Sequence, residues 1–60
     1  MYRLQVYTDP KGFYRWRLRG PNGLIITVSK TAYPSAPLAR SAAEYIQRQL
    51  KQAEIEDRAA

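Results

Sequence analysis

From Tyr14 to Arg19 the chain alternates strictly between apolar and charged residues, and only an extended strand sends alternate side chains to opposite sides. Tyr14, Trp16 and Leu18 share one side, while Phe13, Arg15, Arg17 and Arg19 share the other. The same period runs through Tyr2–Thr8, where Tyr2, Leu4 and Val6 oppose Arg3, Gln5 and Tyr7. A third run, Leu24 to about Thr31, is rich in β-branched residues, with Leu24, Ile26 and Val28 set against Ile25, Thr27 and Ser29. Turn chemistry separates the three runs. In Asp9-Pro10-Lys11-Gly12 proline fixes φ early and glycine accepts positive φ late, and Asn22-Gly23 between two apolar runs is a strong hairpin signal.

After Ala32-Tyr33-Pro34 the period changes. Ser35 fits a helix N-cap, with Pro37 tolerated in the first turn. Ala39, Ala42, Ile46, Leu50 and Ala53 then recur at three- and four-residue steps, flanked by Leu38 and Tyr45. Glu44–Arg48 and Glu54–Arg58 have i,i+4 spacing for ion pairs. These elements predict an α+β fold: a three-stranded antiparallel meander with one C-terminal helix on one face (β-β-β-α). Its expected core is Leu4, Val6, Trp16, Leu18, Ile26, Val28, Ala42, Ile46 and Leu50. Residues 1–53 form one domain in this reading, and 54–60 a fraying helix end or tail.

Size makes that core a thin one. A chain of 60 residues buries only about 60% of its unfolded surface, and scaffolds this small use disulfides, metals or oligomerisation. With no cysteine and no histidine, disulfides are excluded and a soft-ligand metal site is disfavoured, so a homodimer is expected. The longest apolar run, Leu24-Ile25-Ile26, is far too short to span a bilayer, and Met1-Tyr2-Arg3-Leu4 does not resemble a signal peptide. The expected setting is the reducing cytoplasm, without a membrane partner.

Ten Lys/Arg against five Asp/Glu give a net charge of +5, and four of the five acids lie at or beyond Glu44. The first half of the chain is therefore strongly basic, which suits an acidic partner such as nucleic acid as well as plain solubility.

The succession Val6-Tyr7-Thr8-Asp9, Lys11-Gly12, Tyr14-Arg15-Trp16-Arg17-Leu18, Asn22-Gly23 and Ile25-Ile26 resembles the YegP-like family of small domains of unknown function. Tyr33 and Ser35-Ala36-Pro37-Leu38-Ala39 echo that family's helix start, so the resemblance covers roughly residues 2–50. It implies a β-β-β-α unit, present as a tandem pair or as a single copy that forms a homodimer. It implies no enzyme activity and no catalytic residues. Pro34 and Pro37, and the tail from Gln52 to Ala60, depart from the usual unit.

The chemistry available fits binding. The acids do not suggest a convergent acid/base pair, nucleophilic triads lack their usual base, and Gly12, Gly20 and Gly23 serve turns without forming a phosphate loop. No catalytic residue, cofactor, metal or small-molecule substrate is expected. The candidate partner or nucleic-acid face is Arg3, Tyr7, Phe13, Arg15, Arg17 and Arg19. The leading function is a small basic homodimeric interaction module acting through protein–protein contacts, joined by strand edges or faces with the helices outward. One alternative is a nucleic-acid-binding dimer using the arginine/aromatic face. The other is a phage or mobile-element accessory protein that inhibits a host nucleoprotein complex.

Overall fold

The computed structural model describes residues 1–56 and 58. Three strands, β1 (Arg3–Thr8), β2 (Tyr14–Arg19) and β3 (Ile25–Val28), form one sheet in the order β1-β2-β3, followed by helix α1 (Ala36–Leu50). This is the expected antiparallel meander with one helix. In the β1–β2 register Leu4 lies opposite Leu18 and Val6 opposite Trp16, while Arg3, Gln5 and Tyr7 lie opposite Arg19, Arg17 and Arg15. Directly opposed residues share a face, so the two faces separate as the alternation predicts.

The β1–β2 turn is closed by Asp9. Its backbone N–H donates to Phe13 O at 2.7 Å, and its carboxylate accepts from Lys11 N and Phe13 N, each at 2.9 Å. Gly12 sits at φ +87°, where a Cβ would be strained. In the second turn Gly23 donates to Gly20 O at 3.0 Å and Gly20 to Leu24 O at 2.9 Å. Both turns fall where proline, asparagine and glycine place them.

The third strand departs from expectation. Arg17 opposes Val28 and Leu18 opposes Thr27, but Arg19 opposes Ile25, so the register slips by one residue between Leu18 and Arg19. One inserted residue inverts side-chain parity along the rest of a strand. Val28, expected in the core, therefore lies on the arginine side. Thr27 and Ser29, expected outside, turn to the helix side, and Ser29 is buried. The Ser29 hydroxyl accepts from Trp16 N at 3.2 Å and donates to Thr31 O at 3.0 Å, which bends the chain away and ends β3 short of Thr31. The chain then returns to β2. Tyr33 and Tyr14 exchange two backbone hydrogen bonds of 2.7 and 2.8 Å, delivering Ser35 to the start of α1.

Ser35 caps α1, its hydroxyl accepting from Leu38 N at 3.4 Å, with Ala36 and Pro37 as the first two helical residues. Both lack an intrahelical partner for the backbone nitrogen in any case, so proline costs nothing there. The buried residues of α1 are Ala39 and Ala43, one position round from the predicted Ala42, which is half-buried with Ile46. The helix ends at Leu50, earlier than the expected Ala53, and Lys51 and Gln52 form a closing turn. Glu54 and Arg58 consequently lie beyond the helix, and Arg58 instead approaches Glu56 at 3.7 Å.

Helix α1 lies over β1 and β2 and leaves β3 uncovered. Among the described residues no large side chain is fully buried. Val6, Ile26, Val28 and Leu50, all expected in the core, are exposed at 38, 54, 43 and 52%. A single helix presenting alanines cannot span three strands.

Candidate partner-binding faces

The sheet offers two faces of opposite chemistry. On the arginine face Gln5 is the hub. Its side-chain oxygen accepts from Arg17 Nε at 3.0 Å and from Arg19 Nε at 2.9 Å, because the register sets Gln5 directly opposite Arg17 and diagonal to Arg19. The Arg17 guanidinium also stands over the Tyr7 ring, 4.6 Å from its centroid, in cation–π geometry. Arg19 Nη1 donates to Gly23 O and so ties β2 to the hairpin turn. Arg3, opposite Arg19, makes no side-chain hydrogen bond or ion pair among the described residues.

Arg15 is different. Its Nε donates to Asp9 Oδ2 at 3.0 Å, and its Nη1 to Ser29 O at 3.0 Å and Lys30 O at 3.2 Å. One guanidinium thus clamps the first turn to the end of β3, with the Asp9 side chain only 8% exposed. The hydrogen bond from Arg15, helped by the backbone N–H groups of Phe13 and Lys11 and opposed by desolvation, holds the Asp9 carboxyl below its ordinary value. A depressed folded-state pKa contributes stability above the unfolded value, and that stability disappears as pH falls through the folded value. Melting temperature is therefore expected to drop as pH falls through and below about 3.9. Asp9→Asn should show a lower melting temperature at neutral pH and a flatter acid limb than wild type. Parallel acid limbs in a melting series would contradict the clamp.

Of the six residues singled out from sequence, Arg3, Tyr7, Arg17 and Arg19 come together around Gln5. Arg15 is engaged in holding the fold, and Phe13 stands exposed at the far turn. The part played by Gln5 is legible in sequence only once the β1–β2 register is fixed.

The opposite face carries an open groove of about 1150 Å³ between α1 and the sheet. Tyr2, Leu4, Val6, Leu18, Ile26 and Leu50 supply its apolar wall. Arg40, Glu44, Gln47 and Lys51 of α1 and its cap form a rim of mixed charge. The groove exists because α1 stops short of β3. Among the described residues, no helix is long and apolar enough to cross a membrane, and no three Asp, Glu, His or Cys residues converge as metal ligands.

Comparison with known proteins places this architecture in a group. No curated protein matches the chain. A protein from Haloferax volcanii with an NMR solution structure is 30% identical, with a TM-score of 0.77 over 93% of each chain. The family model of a domain of unknown function, DUF1508, matches residues 9–57. The chain belongs to the DUF1508 family of YegP-like small domains of unknown function.

Proposed function

We infer that the protein is a small homodimeric interaction module whose copies meet over the apolar groove between α1 and the sheet. The observation that carries this reading is the groove itself: Val6, Ile26 and Leu50, all expected in the core, stand exposed around it.

A second copy suits the groove in apolar area. A two-fold contact sets the same surface patch against itself, so Arg40 and Lys51 of one copy can face Glu44 of the other. The helix then lies beside the interface, which revises the outward placement expected from sequence. Absence of cysteine suits action in a reducing cytoplasm.

Isotope-filtered NMR on a mixture of labelled and unlabelled protein tests the reading. Intermolecular contacts are expected among the side chains of Leu4, Val6, Ile26 and Leu50. Intermolecular contacts confined to other surfaces, or none at all, would refute it.

A further inference from the structure

We propose that Arg3, Arg17 and Arg19 form a binding site for the phosphodiester backbone of a nucleic-acid strand. The site lies on the side of the sheet opposite the groove, so it stands or falls independently of the dimer.

Arg3 and Arg19 are directly opposed across β1 and β2, and like charges so placed destabilise a sheet. Among the described residues no carboxylate pairs with Arg3, Arg17 or Arg19, whereas Arg15 has Asp9. The neutral Gln5 oxygen fixes the Nε ends of Arg17 and Arg19 without cancelling their charge. Guanidiniums held in this way lose little entropy on binding, and the η N–H groups not used within the fold can take phosphate oxygens in a fork. A hollow of about 270 Å³ lies between Arg3, Gln5, Arg19 and the Gly20–Gly23 turn.

The layout favours a repeating anion over a single phosphoryl group. Arg17 and Arg19 are two residues apart on one strand, about 7 Å, and Arg3 stands about 5 Å across from Arg19. The charges form a track along an open sheet instead of converging in a cup. The Tyr7 ring beneath Arg17 gives this track a flat, stacked member of the kind that single strands contact. Contacts of this sort position a strand without reading its sequence.

Fluorescence anisotropy with a labelled single-stranded DNA of about 20 nucleotides, over a salt series from about 50 mM, tests the site. Three phosphate contacts per subunit should give a log–log salt slope of about −2 per subunit, with little sequence preference. Arg3→Gln, which breaks no hydrogen bond, and Arg17→Gln should each weaken binding and flatten the slope by about 0.7. Arg48→Gln, on the last turn of α1, removes the same charge and should bind as wild type. Four results would overturn the proposal: no binding at about 50 mM salt; equal losses in Arg48→Gln and Arg17→Gln; wild-type binding by Arg3→Gln; or displacement of the strand by a phosphoserine peptide more readily than by unlabelled strand.

Discussion

Trp16→Ala is expected to unfold most of the protein at room temperature, whereas Arg17→Ala should leave it folded. The two positions are neighbours on β2 and point to opposite faces, so the pair isolates what each face contributes. Trp16 is half-buried opposite Val6 on the side that α1 covers; truncating a fully buried aromatic costs about 3–5 kcal/mol, and Trp16 should lose the larger part of that. That is a large share of the ~5–15 kcal/mol available to ordinary domains, and a thin core has less. Arg17 loses one hydrogen bond to Gln5 and its place over Tyr7, together about 1–2 kcal/mol. Denaturant unfolding followed by circular dichroism, at matched protein concentration, measures both. Equal midpoints would mean that the faces of β2 are reversed.

If two copies pair over the groove as proposed, Ile26→Lys is expected to leave folded monomers. Ile26 is already 54% exposed in one copy and α1 does not reach β3, so the charge costs the isolated fold little. Across an interface the same ammonium would be stripped of water without a built partner, at a cost of several kcal/mol. That loss exceeds what one side chain of a small interface can absorb. Leu50→Lys provides a second route to the same result. At the helix C-terminus a cation is favourable to the helix dipole, so any loss of association cannot be attributed to a weakened helix.

The parts of this molecule that were legible in sequence are the local ones. Alternation over Arg3–Thr8 and Tyr14–Arg19 and glycines at the positive-φ turn positions defined the meander, and Ser35 marked where the helix begins. The family resemblance rested on the same residues. Most departures from the sequence expectation concern how elements meet. A bulge between Leu18 and Arg19 moved Val28 to the arginine side and buried Ser29, and single-strand periodicity carries no trace of a partner's register. The helix turned toward Ala43 because close approach to the sheet selects small residues, a preference visible only once the sheet is present. Its stop at Leu50 has no glycine or proline to announce it.

The candidate site followed the same division. Alternation collected the arginines on one face, but it could not separate Arg15, engaged with Asp9 and the end of β3, from Arg17 and Arg19, held by a neutral amide. Period alone assigns the exposed apolar residues to a core. What the sequence does not show is that one alanine-faced helix leaves the third strand uncovered.

Sedimentation equilibrium of wild type and Ile26→Lys side by side, at tens of micromolar, tests the account most directly. Wild type should give twice the 6.9 kDa chain mass and the variant the chain mass itself, with circular dichroism unchanged between them. A wild-type mass of 6.9 kDa, or a variant that remains a dimer, would contradict pairing over the groove.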